Sequence, residues 1–418
     1  MRAQITIIIR KSIPAVEEKK LPALAPQLAL ERPLSIWEYY FASVGRSASS
    51  QEMDCDIITV IEGESRVTFA QWEAALAQVV AANAACRVRI AGRRRRACWR
   101  SDGIPTRIRQ VDNCTWDGRS DAGLEFLKTP RLDLENGPAS ELIVVTGNPA
   151  RLVLRVHHAV MDGLGTIYFF QELFRALRGE PLLGTNAAFS DADLMQSVSS
   201  QPQPKLSGKP AYLTGALSGA GRHGVWRRIT VEDVPASFLL GRLAVYVARF
   251  ARRYSEQPTW VLLPVNLRRH LPGLNSMMNF TSLILVDLGP DDGPNDFYRK
   301  LQKLLKDNAD AYYTPALDYF KWLPMAWLDW VASKLARHDK AKDTAAISNF
   351  GMVSKAELSS DGFAAHTLFA LPAFHGNSFL VMTAMGNTTE ITVGMPRALA
   401  SDGRLEAFTA YLEAQLAQ

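Results

Sequence analysis

The alternation of apolar and polar positions from Arg151 to His158 predicts a strand, with Leu152, Leu154, Val156 and His158 on one face and Val153, Arg155 and His157 on the other. Ile167, Phe170, Leu173, Phe174 and Leu177 then recur at helical spacing, and Gly179 with Pro181 marks the end of that helix. Between the two lies His157-His158-Ala159-Val160-Met161-Asp162-Gly163. A histidine at a strand end, followed by a tight glycine turn into a helix, can be held rigid while one ring nitrogen faces a cavity. That is the setting a general base requires.

Similar patterns run along the rest of the chain. Residues 11–33 are rich in proline and charge, so 1–33 read as an extended lead-in. Thr68-x-x-Gln71 is a capping-box start, and Phe69, Trp72, Leu76 and Val79 give the helix after it a buried stripe. Short strand patterns follow at Arg87–Ile90, Cys98–Trp99, Arg107–Val111 and Leu142–Val145, and a Gly147-Asn148-Pro149 turn leads into the motif strand. Residues 34–182 therefore form a first mixed α/β lobe. From 183 to 210 periodicity gives way to Ser, Gln, Pro, Gly and Asp, the composition of a crossover linker. A second lobe spans 211–418, with helical stripes at Phe238–Phe250, Phe297–Leu305, Pro315–Leu335 and Leu405–Leu416. Strands are expected there at Trp260–Val265 and Ser282–Leu288, and a hairpin at Phe379–Met385 and Thr389–Met395.

Composition narrows the classes. A chain of 418 residues that is 47% hydrophobic can bury a large core in two or three lobes. Its net charge of +5 suits an acidic partner, though equally an ordinary surface. Cys55, Cys86, Cys98 and Cys114 show neither CxxC spacing nor a companion histidine cluster, so no metal site is expected and reduced thiols in a cytoplasmic protein are. The apolar run Ile5–Ile9 is too short for a signal-peptide core, and no apolar stretch reaches membrane-spanning length. Gly219-x-Gly221-x-x-Gly224 matches a dinucleotide fingerprint in letters but stands before a strand, where a linker is expected. There is no G-x-S-x-G elbow and no phosphate-binding P-loop. Arg93 to Arg96 lack the aromatic platforms of a nucleic-acid site, so no nucleic acid is expected; they read as a solvated hairpin tip or as a docking site for an acidic donor. Tyr312, Tyr313, Phe320, Trp322, Trp327 and Trp330 read as walls of an acyl or aryl pocket, or as core.

The run His157-His158-x-x-x-Asp162-Gly163 resembles the HHxxxDG motif of the chloramphenicol-acetyltransferase-like superfamily, which includes condensation domains of nonribosomal peptide synthetases and BAHD acyltransferases. Leu132-Asp133-Leu134 with Gly137-Pro138, Pro264 to Arg269, Asn279-Phe280 and Ser348-Asn349-Phe350-Gly351 resemble further blocks of that superfamily, so the resemblance spans roughly Pro33 to the C-terminus. The second signature lacks the usual aspartate, tryptophan and final glycine, which argues against a plant-type BAHD enzyme.

The resemblance implies two pseudo-symmetric lobes of mixed sheets and helices, with an active-site channel between them. It further implies that a pantetheine thioester, on an acyl or peptidyl carrier protein or on coenzyme A, is the substrate, with no tightly bound cofactor. An alcohol or amine acceptor would be deprotonated by His158, while His157, of opposite strand parity, supports the structure. Asp162 can orient the imidazole as a triad carboxylate does; the resemblance implies instead that it pairs with an arginine, Arg87 or Arg89. Gly163 lets the backbone approach substrate closely, or is a turn glycine. Ser348, Asn349 and Gly351 are candidate oxyanion or channel residues, though the same sequence suits an ordinary turn. The rival expectation is a non-catalytic module that docks carrier-bound intermediates.

Overall fold

The motif strand folds as β7 (Ala150–His157), and all eight of its residues are buried. It pairs antiparallel with β2 (Asp56–Ser65) on one side and β6 (Ser140–Val145) on the other. These are the middle of a five-stranded sheet completed by β12 (Phe363–Leu371) beyond β2 and β5 (Arg107–Val111) beyond β6. The alternation separates its faces. Leu152, Leu154 and Val156 enter one core, whereas Val153 joins Trp116, Trp226 and Phe369 in another. Burying each of the three aliphatic side chains contributes roughly 1.5–3 kcal/mol. Arg155, on the Val153 face, is tolerated in the interior because Asp56 meets it at 2.6 Å and the Pro130 carbonyl accepts at 2.8 Å. These are facts of a computed structural model that describes residues 20–46, 55–128, 130–218, 224–234, 236–337, 343–372 and 377–417.

Helices α2 (Phe69–Ala82) and α3 (Gly163–Leu177) cover the first face. The capping box at Thr68 and Gln71 opens α2, and its Trp72 meets Phe174 of α3 edge to face at 5.9 Å. Ahead of them, α1 (Ile36–Ser43) begins at its own capping box, Ser35 with Glu38. A small sheet orders β1 (Glu31–Pro33), β4 (Cys98–Arg100) and β3 (Arg89–Ala91) side by side.

The second sheet runs in the order β10 (Thr281–Leu288), β9 (Thr259–Asn266), β11 (Ala345–Val353), β13 (Ser378–Met385), β14 (Thr388–Pro396), β8 (Gly224–Glu232). Strand β11 is parallel to both its neighbours and the other pairings are antiparallel, so the sheet is mixed. Its core is closed by α4 (Ala236–Ala251), α5 (Pro294–Lys306) and α7 (Arg404–Leu416), which contribute Leu243, Phe250, Phe297, Phe408 and Leu412. Two mixed α/β lobes are thus present, as the sequence leads one to expect.

The boundaries differ from the sequence expectation. Strand β12 belongs to the second half of the chain yet adds to the first sheet, because its register sets Phe363 opposite Ser65 and delivers that ring to Trp72 and Phe174. The stretch 183–210 is packed rather than loose, with Ala187, Phe189, Leu194 and Met195 in the first core and a short helix at Asp191–Gln196. In the lead-in, Glu31–Pro33 is the edge strand β1, and residues 1–19 lie outside the described residues. Pro324 divides the helix expected over 315–335 into a 3-10 segment, Pro315–Trp322, and α6 (Met325–Arg337). Of the Gly219 to Gly224 spacing, residues 219–223 lie outside the described residues and Gly224 opens β8.

One acidic cluster ties these pieces together. Arg32 holds Glu38 bidentately at 2.8 and 2.6 Å, and Asp191 from the crossover stands buried beside them. Burial and then the Glu38 charge push the Asp191 carboxyl from 3.8 up to about 7. The native state therefore holds this proton more tightly than the unfolded chain, and stability falls as pH rises from 3.8 through about 7. Asp191→Asn should flatten that slope in chemical-denaturation curves taken across the interval; an unchanged slope would show that Asp191 does not carry it.

Candidate active site

His158 lies one residue beyond the last residue of β7, and its N–H still bonds to the Cys55 carbonyl at 2.7 Å, continuing the pairing with the β2 side. The imidazole is half-buried and stacks on Phe41 of α1, with ring centroids 4.0 Å apart and planes 13° apart. Asn279 donates its amide N–H to the His158 carbonyl at 2.9 Å; its 3.4 Å approach to Nδ1 is too long to fix the ring alone. Burial lowers the imidazole pKa below 6.5, and the carbonyls of His158 and Met161 and the Asp162 charge recover part of that loss. The ring is neutral at pH 7 and free to accept a proton.

His157 points the other way, as its parity requires. Its Nδ1 accepts the Ala159 N–H at 3.1 Å. Burial, then the neighbouring His158, Arg46 and Arg155, push its pKa down to about 3, so it stays neutral. It lines a cavity of about 430 Å³ together with Arg46, Asp56, Asp133 and Arg155.

Asp162 caps α3 by accepting the Gly165 N–H at 2.6 Å. It also accepts the Phe280 N–H at 2.7 Å, the Thr281 hydroxyl at 3.0 Å, and Arg268 at 2.9 and 3.2 Å. Two oxygens offer about four lone-pair sites. All are engaged, which leaves none for an imidazole, and the triad alternative is excluded. Burial pushes this carboxyl up, but Arg268 and the N–H donors outweigh it and hold it below the ordinary carboxylate value.

The arginine partner expected from the sequence is corrected here. Arg87 donates to the carbonyls of Val80 and Leu28, and Arg89 pairs with Asp102 at 2.8 Å. The motif is served instead by Arg268, in the 3-10 turn after β9, which also donates to the carbonyls of Ser276 and Met278. The block Pro264 to Arg269 stands out in the sequence, but no spacing links it to Asp162; only the approach of β9 and β10 does.

The second signature sits on β11. Asn349 is exposed and its side chain accepts the Gly351 N–H at 2.8 Å, closing a bulge in which Gly351 has φ +77°. Ser348 is half-buried. The residue that reaches the first motif is Phe350. A Cβ added to Gly163 would stand 2.2 Å from its Cζ, so the glycine makes room for this ring rather than for a left-handed turn. Phe350, Arg268, Leu164, Tyr168 and Met352 line a second cavity, of about 250 Å³, between α3 and β11. Arg93 to Arg96 are exposed on a 3-10 turn where Arg95 covers Trp322, so the contacts of the run lead to the aromatic segment rather than to the motif. Two residues at His158 carried no sequence assignment: Phe41, on a helix announced only by its capping box, and Asn279, visible only within the Asn279-Phe280 block. Among the described residues no group of three His, Cys, Asp or Glu side chains is placed to hold a metal ion.

The backbone arrangement matches solved structures over nearly its whole length. The condensation domain from Monacolin K polyketide synthase MokA aligns with 94% of this chain and 98% of its own, at TM-score 0.64 and 15% identity. The epimerization domain from the third module of tyrocidine synthetase B covers 94% and 97%, at TM-score 0.61 and 14% identity. A variant of the starter condensation domain of rhizomide synthetase RzmA, in complex with C8-CoA and Leu-SNAC, covers 93% and 94%, at TM-score 0.61 and 15% identity. No family model matches the chain, and a comparison with curated proteins returns no match. The protein has the condensation-domain fold.

Two substitutions test the supports of the site. Asp162→Asn strands the Arg268 charge among carbonyls and should cost about 3–5 kcal/mol in denaturant unfolding; an unchanged midpoint would show that the pair is not needed. Gly163→Ala should lower the melting temperature, and Phe350→Ala in the same chain should recover most of the loss by removing the clash. Simple additivity of the two would mean that Phe350 is not the obstacle.

Proposed function

We propose that this chain is a condensation-type acyltransferase, acting in the cytoplasm, that moves an acyl group from a pantetheine thioester to an alcohol or amine. The carrying observation is the placement of His158: a neutral imidazole at a strand end, pinned flat against Phe41, in a chain with the condensation-domain fold. The C8-CoA complex of the RzmA domain supports a thioester donor.

In the proposed reaction the His158 imidazole takes a proton from the acceptor as the acceptor's oxygen or nitrogen attacks the thioester carbonyl. The tetrahedral oxyanion collapses, the carbon–sulfur bond breaks, and the pantetheine thiolate leaves and regains the proton. No acyl-enzyme forms. Phe41 fixes the plane of the ring, and positioning two reactants in attack geometry can supply roughly 7–11 kcal/mol. The second cavity, bounded by Phe350 and Arg268, is our candidate for the passage of one substrate arm toward the motif. Ser348, Asn349 and Gly351 remain our candidates for that passage or for oxyanion contact.

His158→Ala should retain its melting temperature and lose roughly two to four orders of magnitude in turnover, measured by product mass with acyl-coenzyme A and acyl-carrier donors. The acid limb of the unaltered protein's kcat/KM profile should lie below 6.5, since burial lowers the imidazole pKa. Normal turnover by the variant would refute the assignment. A chain that binds loaded carrier yet turns over nothing would support the docking-module alternative.

A further inference from the structure

Pro315–Trp322 and α6 carry Tyr319, Phe320, Trp322, Trp327 and Trp330, whose side chains are between 45 and 74% exposed. These five rings are neither core nor walls of the two cavities beside the motif, whereas Tyr313 of the same stretch joins the first core, as one of the two readings from the sequence had it. Burying such rings is worth so much that an exposed group of them marks a surface awaiting a partner. Trp327 and Trp330 stand one helical turn apart with ring centroids at 6.3 Å, while Leu328 and Asp329 between them face inward. The same surface is basic. Arg95 lies over Trp322 at 4.2 Å, and Arg93, Arg94 and Arg96 are exposed on the same turn. Of the two acids on these segments, Asp329 is buried, and Asp318 is paired with Lys321 at 2.8 Å and accepts the Tyr313 hydroxyl, so the exposed arginines set the sign of the surface.

We propose that this aromatic and arginine surface seats the protein peripherally on an anionic lipid bilayer. Rings with an apolar body and a polar edge settle at the headgroup level, and exposed arginines are drawn to acidic lipid. A deformable bilayer takes up exposed rings and guanidinium groups together without a preformed complementary surface, whereas a protein partner needs a matching one. Among the described residues no helix is long and apolar enough to span a membrane. The sequence offers Arg93 to Arg96 to an acidic donor; the aromatic neighbours that the fold supplies favour lipid.

Flotation of the full chain with phosphatidylcholine vesicles, and with mixed phosphatidylcholine and phosphatidylserine vesicles, tests this. The chain should float with the mixed vesicles alone and be released by salt. Its tryptophan fluorescence should be quenched by brominated lipid. Changing Arg93, Arg95 and Arg96 together to serine should weaken partitioning on the order of a hundredfold. Trp322→Ser combined with Trp327→Ser and Trp330→Ser should abolish the quenching. If a variant fails to fold, quenching of the unaltered chain still decides. Absence of flotation and quenching overturns the proposal. So does capture of a purified acidic acyl carrier protein through these residues without vesicle binding, which would make the partner a protein. Neither readout uses turnover, so the result is independent of the acyltransferase reading.

Discussion

The buried ion pair between Asp162 and Arg268 is the constraint on which the rest of the site depends. Removing two charges from water is costly, and such a pair survives only when nearly every donor and acceptor is filled. Here the carboxylate takes main-chain N–H groups from both halves of the chain, Gly165 and Phe280, while the guanidinium returns bonds to Ser276 and Met278 carbonyls. One interaction thereby caps α3, fixes the entry to β10 and brings β9 to the motif. The isolated bridge between Met161 and Met278 follows from the same approach. Asp162 acts through geometry, since its oxygens have nothing left to offer the imidazole.

That arrangement frees His158 to be tuned by burial and hydrogen bonding. Loss of water around the ring disfavours the imidazolium, whereas the carbonyls of His158 and Met161 favour it. The outcome is an imidazole that is uncharged at neutral pH yet retains partners for the protonated form. Phe41 adds a steric constraint. A ring pressed flat at 4.0 Å has one face closed, so reactants meet it at an edge. The adjacent His157, further lowered and bonded to the Ala159 N–H, cannot substitute for it.

Much of the fold was legible because local patterns carried it. Strand alternation located β5, β7 and the β13–β14 hairpin, and the Thr68 capping box located α2. Pairings between distant segments were not legible. Nothing in Phe363–Leu371 announces that it will complete the first sheet, because an edge strand of either lobe has the same alternation. The site divides in the same way. The histidines and the aspartate stand in one short motif, whereas Arg268, Asn279 and Phe350 reach it only through tertiary structure. Arg87 and Arg89 were credible partners for Asp162 because Cys86-Arg87-Val88-Arg89 resembles the superfamily segment that supplies such an arginine, and sequence does not say where a guanidinium ends. In the fold Arg87 is spent on the carbonyls of Val80 and Leu28.

Helix α1 is where the candidate active site and the exposed aromatic surface meet. Phe41 covers His158, the Tyr39 hydroxyl donates to the Leu323 carbonyl at 2.6 Å, and Glu38 is gripped by Arg32. Lys321 reaches back to the Leu34 carbonyl just ahead of the helix. Three tethers on so short an element, and a fourth just ahead of it, make it a rigid strut. A strut transmits position, but energetic coupling between two sites requires an element with two alternative arrangements, and these contacts define one. If both proposals hold, a bilayer bound at Trp322, Trp327 and Trp330 would therefore orient the His158 imidazole relative to the lipid surface without altering its basicity, and proximity to membrane-borne substrate is the advantage such a seat would confer.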